Sequence, residues 1–298
     1  MIIVFSFNMG TYSIKDIELL TGIKAHTLRI WEQRYSIPVP KRTETNIRFY
    51  DDDDLKLLLN ISLLNQNGLK ISGITKMSPK EISELALSYS LSSEKDPMHI
   101  QSMITAMIDL DEQSFEKILS TCILQSGLEH TMMDVIFPFL NSVGMLWQTG
   151  AIDPAYEHFV SVIIRQKMIV AIDGQTKKKV PDERRFLLFL PEGESHELGL
   201  LFANYIIRQA GHHSLYLGQN VPLNDVIKVG ERYKPDFIFT SLTSMFSINF
   251  AQELLEQLHS NFTSSKVLMS GRFFTMNQSM IHKEMKLIAH PEELKRFC

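Results

Sequence analysis

The reading of this chain turns on Pro191-Glu192-Gly193-Glu194-Ser195-His196-Glu197-Leu198-Gly199. Before this stretch lies an apolar run, Phe186-Leu187-Leu188-Phe189-Leu190, that ends a strand; after it, apolar residues recur at helical spacing from Leu200 to Ala210, and Gly211 stops the helix. A strand feeding a tight loop and then a helix is the first βα unit of a doubly wound sheet, where ligands settle outside the carboxyl ends of the strands. His196 is therefore placed at a binding edge. Taken alone, Glu-x-His is more often the first turn of a helix, with Glu194 or Ser195 as N-cap, than a ligand site.

The rest of the domain shifts that balance. Strands are expected at His213–Leu217, Phe237–Ser241, Lys266–Met269 and Lys286–Ala289, with helices near Pro222–Tyr233, Asn249–Ser260, Met276–Lys283 and Glu292–Phe297. Such alternation predicts a Rossmann-like five-stranded parallel sheet over residues 184–298. Glu194-x-His196-x-x-Gly199, then Ser241-Leu242-Thr243, then Ser270-Gly271 resemble, in type and in gaps, the signature of cobalamin-binding domains: Asp-x-His-x-x-Gly, Ser-x-Leu, Gly-Gly. The resemblance implies that His196 ligates cobalt, its other ring nitrogen held by Glu194 with Ser241 behind, since a metal-bound imidazole needs an acceptor that fixes its tautomer. It also implies that Gly199 and Gly271 let the corrinoid tail pass close to the backbone. The chain departs from the signature at Glu194 for Asp, Thr243 for Leu, and Ser270 for the first Gly; Ser270 would narrow the tail channel. Met245 and Phe246 line either the cleft or the core.

Composition sets outer bounds. With 298 residues, 44% of them hydrophobic, the chain is long enough for two or three domains. A net charge of -4 advertises no global affinity for nucleic acid, so any DNA contact must come from a local patch. Two cysteines, Cys122 and Cys298, make neither a disulfide scaffold nor a zinc cluster and suit a reducing cytoplasm. The apolar opening Met1-Ile2-Ile3-Val4-Phe5-Ser6-Phe7 lacks a basic region and is far short of a span of about 20 residues. Residues 1–10 read as a disordered leader, or as sequence upstream of a start at Met9. No other segment is a transmembrane candidate, and no membrane partner is expected.

Ile14, Ile17, Leu20 and Ile23 recur at helix spacing behind a Ser13 N-cap, and Thr21-Gly22 breaks the pattern. A second helix, Ala25 to Gln33, puts Leu28 and Trp31 on one face and offers Lys24, His26, Thr27 and Arg29 on the other. This is the pattern of a helix-turn-helix, though a plain helical hairpin would look the same. Residues 34–54 favour the former. Arg34-Tyr35 through Lys41-Arg42-Thr43, and Asn46 to Tyr50, alternate like a small basic ribbon, and Asp51 to Asp54 start a new helix. Residues 11–50 carry seven Lys or Arg against four acids, the local concentration of charge that phosphates want. Thr27-Leu28-Arg29-Ile30-Trp31-Glu32, Arg34-Tyr35 and the Arg48-Phe49-Tyr50-Asp51 corner resemble the MerR family of winged-helix regulators. By that resemblance residues 11–90 form a DNA-binding domain: Lys24, His26, Thr27 and Arg29 lie in or beside the reading helix, Arg34 and Tyr35 follow it, Arg42 and Arg48 hold phosphates, and Leu28, Ile30 and Trp31 are core. The four aspartates read as a solvated first turn favoured by the helix dipole, not as a metal site. No charged heptad run follows, so dimerisation through a coiled coil is not supported.

Ser92 to Pro97 is polar and reads as a linker. Beyond it, helical stretches near Met98–Leu110, Glu112–Gln125, Leu128–Trp147 and Pro154–Ile172, with short loops at Gly127 and Thr149-Gly150, predict a four-helix bundle over 98–175. Trp147 at a helix end and Asp153-Pro154 at a helix start are ordinary packing and capping features. With Glu157-His158 following at this spacing, however, the bundle resembles the light-responsive CarH/LitR repressors. There the Trp packs over the adenosyl group and the Glu-His pair contacts it, which maps onto Trp147, Glu157 and His158. Those proteins carry a His after the Trp; here Gln148 stands, so adenosylcobalamin binding is implied more strongly than a final bis-histidine state.

The sequence thus reads as a non-enzymatic, cytoplasmic, cobalamin-dependent regulator of an operator in double-stranded DNA. The resemblance makes it a light-responsive repressor and a homo-oligomer whose assembly is set by adenosylcobalamin. Two rivals stand beside this: a corrinoid carrier for methyl transfer, and a regulator or antirepressor that has lost cobalamin and senses a protein.

Overall fold

The computed structural model describes residues 12–43, 45–92, 96–148, 152–176, 178–244 and 246–298. The expected leader 1–10, the loop at 149–150 and Met245 lie outside them. The chain divides into two compact units, Met1–Ile163 and Ile164–Cys298, with the boundary inside a helix.

In the first unit, α1 (Ile14–Thr21) begins at a capping box in which Ser13 and Asp16 bond each other's amides. Gly22 ends it at φ 71, a left-handed position suited to Gly. Helix α2 (Ala25–Tyr35) buries Leu28 and Trp31. Ile30, expected in the core, is 44% exposed, because the inward stripe passes through residues 28 and 31 and leaves 30 to one side. Strands β1 (Lys41–Arg42) and β2 (Arg48–Phe49) form an antiparallel wing, shorter than the expected ribbon because Arg34 and Tyr35 belong to α2. Asp51 caps α3 (Asp52–Gln66), again through a capping box.

Helix α3 is buried without a break from Leu58 to Leu64. On one side Ser62 donates to the Thr21 carbonyl at 2.6 Å; the helix also packs on α5 (Pro79–Ser92) and α6 (Asp96–Ile108), beyond the four-residue turn α4 (Ile71–Ile74). Lys56 reaches Asp109 at 2.6 Å and Asn67 donates to Met98 Sδ at 3.3 Å. The expected linker is therefore short: α5 runs to Ser92, α6 starts at Asp96, and residues 93–95 lie outside the described ones. Helix α6 packs on α7 (Glu112–His130), which breaks at Gly127, and on α8 (Phe137–Gln148), entered through a π turn at Thr131–Ile136. Helix α9 (Pro154–Asp173) completes the four expected helical stretches.

In the second unit, five parallel strands take the order β4-β3-β5-β6-β7: β3 (Arg185–Pro191), β4 (His213–Val221), β5 (Phe237–Ser241), β6 (Lys266–Ser270) and β7 (Lys286–Leu287). Strand β3, buried from Phe186 to Pro191, is flanked by β4 and β5. Chain order reverses there, and in doubly wound sheets ligands settle outside the carboxyl end of the strand at such a reversal. Helix α10 (Leu198–Gln209) packs on β3 and β4. Leu187, Phe189, Ile238, Leu242, Val267 and Met269 share a core with α11 (Leu223–Tyr233) and α12 (Ile248–Asn261).

The helix expected at Met276–Lys283 is absent. Instead α13 (Arg272–Met276) starts directly after Gly271, because Phe273 and Phe274 are drawn into the core, and Asn277 ends it by donating to the Phe273 carbonyl at 2.8 Å. The last segment, Pro291–Phe297, is 3-10 rather than α-helical. No helix among the described residues is long and apolar enough to cross a membrane.

Candidate functional site

The loop after β3 turns at Gly193, whose φ of +84 is in the left-handed region and whose amide donates to Asn220 at 2.8 Å. That turn directs Glu194 inward to zero exposure. Its Oε1 accepts from the amides of Ser195 and His196, both at 3.0 Å, from His196 Nδ1 at 2.6 Å and from Ser244 Oγ at 3.0 Å. Its Oε2 accepts from the amides of Thr243 at 2.6 Å and Ser244 at 2.9 Å. Burial pushes this carboxyl up, but the His196 contact and the converging amides outweigh it and bring its pKa down to about 2.

An ionised carboxylate only accepts, so Nδ1 must carry the proton, and the lone pair of a neutral His196 sits on Nε2. That is the tautomer a metal ligand requires. The side chain is 52% exposed, whereas Glu194 is sealed. Two sequence expectations change here. Neither Glu194 nor Ser195 caps α10: Glu197 occupies the N-cap position, since Glu194 is held by its donors. And Ser244, not Ser241, stands behind the pair, with Oγ at 3.1 Å from Nδ1. Ser241 is buried at the end of β5, opposite Ser270 in the register. Thr243 contributes its amide.

Gly271 also differs from expectation. A Cβ there would lie 2.2 Å from the Leu242 carbonyl oxygen, at φ +99, so the chain's own crossing already requires Gly at this position. Gly199 is exposed, and a Cβ there meets nothing within 4 Å. Thr240 Oγ1, on β5 at the order reversal, is buried with no hydrogen-bond partner. A half-exposed imidazole whose Nδ1 is held by a buried carboxylate, with a buried hydroxyl on β5 that has no hydrogen-bond partner among the described residues, fits a corrinoid-binding loop. Among the described residues no cluster of three or more His, Cys, Asp or Glu could hold a bare metal ion.

Sequence reasoning missed Asn220, Glu197, Tyr216 and Arg165. Glu197 is buried and accepts from Tyr216 Oη and Arg165 Nε, each at 2.7 Å.

In the first unit, Lys24, His26, Arg29 and Arg34 are exposed, while Thr27 and Tyr35 are half-buried. Lys24 Nζ lies 2.9 Å from Glu18. Arg48, expected on phosphate, instead donates twice to Glu32 of α2, at 3.1 and 3.4 Å, which pins the wing to the helix; Arg42 donates to Asn46 Oδ1 at 2.8 Å and lies 3.9 Å from Glu32. In the first turn of α9, Glu157 accepts from Ser161 Oγ, and the exposed His158 lies 3.5 Å from Glu157. The side chain of Trp147 lies outside the described residues.

Comparison with known families matches residues 12–81 to the MerR HTH family regulatory protein, and residues 99–171 and 184–290 to two B12 binding domain families. Among curated proteins, the chain is similar to "HTH-type transcriptional repressor CarH" of Myxococcus xanthus, 28% identical over 254 residues, 83% of this chain and 84% of that one. It is also similar to "HTH-type transcriptional repressor CarA" of the same organism, 27% identical over 237 residues, 78% and 76% of the two chains. Among solved structures, a novel cobalamin-binding protein from Desulfitobacterium hafniense DCB-2 is similar at 17% identity, covering 67% of this chain and 96% of that one, with a TM-score of 0.34, too low to carry an argument.

Proposed function

We propose that this chain, a MerR-type regulator that carries B12-binding domains, represses transcription from a double-stranded operator and senses light through adenosylcobalamin. The observation that carries the reading is Glu194 holding His196 Nδ1 at 2.6 Å from a fully buried position.

His196 would hold the lower cobalt face through Nε2, with Glu194 and Ser244 fixing its tautomer and Thr240 near the nucleotide tail. Trp147, Glu157 and His158 would meet the upper ligand. Bound adenosylcobalamin supplies a cobalt–carbon bond that light can break. The protein's part is to hold the imidazole in one orientation and to bind two ligand states unequally, since only a difference in contacts can move an equilibrium. Residues at the N-terminus of α2 enter the major groove in this reading, and the wing follows the backbone. An oligomer assembled in the dark gains avidity that one such head lacks. Gln148 stands where the related photoreceptors carry a histidine, so the reading favours adenosylcobalamin binding over a final bis-histidine state.

The MerR-type domain argues against a methyl carrier, which has no need to read DNA. The intact Glu194–His196 pair argues against a regulator that has abandoned cobalamin.

The test is the purified full-length chain with adenosylcobalamin in the dark. A cobalt-alkyl spectrum that changes on illumination, together with a smaller assembly on size exclusion, is expected. His196→Ala should weaken loading by at least ~10-fold. An unchanged spectrum and elution volume would refute the light switch.

A further inference from the structure

A second polar network borders the His196 loop. Glu197, the next residue, is 8% exposed. A carboxylate is buried at that depth only if paired, and Glu197 is paired twice: Tyr216 of β4 donates to Oε1 and Arg165 of α9 to Oε2, each at 2.7 Å. Glu197 occupies the N-cap of α10, yet its side chain bonds none of that helix's amides. Ser, Thr, Asp or Asn would cap there more favourably, so the glutamate does not serve the helix end. Both of its partners lie on other elements, one an edge strand of the sheet and one a helix 32 residues earlier in the chain. Burial and the neighbouring carboxylate push the Tyr216 phenol up, so it remains a donor.

We infer that Glu197 is a positioning residue for His196: Glu194 fixes the loop two residues before the imidazole, and Glu197, bolted to Tyr216 and Arg165, fixes it one residue after. The two clamps together would hold the imidazole in one orientation when a corrinoid binds. The inference rests on His196 being the lower ligand. Residues that orient metal-bound histidines typically change affinity by about 10–100-fold when altered, and an effect in that range is expected.

The full-length chain, labelled with 15N-histidine and loaded with cob(II)alamin, gives an electron paramagnetic resonance splitting that distinguishes a histidine nitrogen on cobalt from the cofactor's own base. Wild type should show the histidine splitting. Glu197→Gln, Tyr216→Phe and Arg165→Met should weaken loading by about 10–100-fold and diminish that splitting, with Arg165→Lys restoring part of both, while apo melting curves stay near wild type. If Glu197→Gln fails to fold, the other two variants decide the matter, because neither alters the loop itself. Wild-type splitting and affinity in every folded variant would overturn the inference and leave the ligand assignment standing. A wild type without histidine splitting would overturn both.

Discussion

Replacing Glu194 by Gln keeps the shape of the side chain and removes its charge. The wild-type carboxylate accepts from four backbone amides, one imidazole and one hydroxyl, so an amide in its place turns an NH2 towards at least one donor. The size of the loss follows from the titration. A carboxyl brought from its ordinary 4.5 to about 2 is stabilised in its charged form by about 3.5 kcal/mol, at about 1.4 kcal/mol per pH unit. Because the folded value lies below the unfolded one, this stabilisation is complete above pH 4.5 and drains away as the pH falls towards 2. The variant lacks it at every pH. Hydrogen exchange read on the amides of Ser195, His196, Thr243 and Ser244 localises the effect without requiring the whole chain to unfold in one step. At neutral pH those amides should exchange about 300-fold faster in Glu194→Gln, the factor that about 3.5 kcal/mol represents. Rates within a factor of two of wild type would refute the picture of Glu194 as the anionic hub of the loop.

Other substitutions test other parts. Gly271→Ala places a Cβ 2.2 Å from the Leu242 carbonyl at φ +99 and should cost roughly 3 kcal/mol or more, seen as a lower melting temperature in circular dichroism; an unchanged melt would mean that the crossing is looser than described. Arg29→Ala, on the exposed face of α2, should weaken binding to an operator selected from random DNA by about 1–3 kcal/mol in fluorescence anisotropy, or lower the salt slope by about one if its contact is to phosphate; no change in either would remove Arg29 from the reading face. A double-mutant cycle between Glu32 and Arg48 should give a stability coupling of up to about 1 kcal/mol, the usual ceiling for a partly exposed pair; zero coupling would show that the wing is pinned by packing alone.

Much of the architecture could be read directly. Phe186 to Leu190 is too uniformly apolar for anything but a covered strand, and Ser13 and Asp51, each followed three residues on by Asp, announce helix starts. What could not be read depends on distance along the chain. Ser244 meets Glu194 across 50 residues and Arg165 meets Glu197 across 32, and no local pattern marks either partner. Ser241 is the motif serine, yet Ser244 is the one that bonds Glu194, because side chains that leave a strand in a turn no longer obey its alternation. The need for Gly at position 271 is set by the close approach of the Leu242 backbone, which no local pattern announces. The stop at Asn277 was missed for the same reason: Phe273 and Phe274 obey the core's demand for bulk, not a helical period.

The continuous burial of α3, bonded to Thr21 on one flank and joined to α6 and Asp109 through Asn67 and Lys56, bears on how operators are spaced. Under the proposed DNA-reading function, a head joined in this way to the helices that follow it would have no slack with which to search. If two such chains associate through other surfaces, the separation of their α2 helices is a fixed gauge. Half-sites set a few base pairs closer or further apart, at about 3.4 Å each, would then be refused rather than accommodated, and a glycine-rich insertion between α5 and α6 would widen the range of spacings accepted.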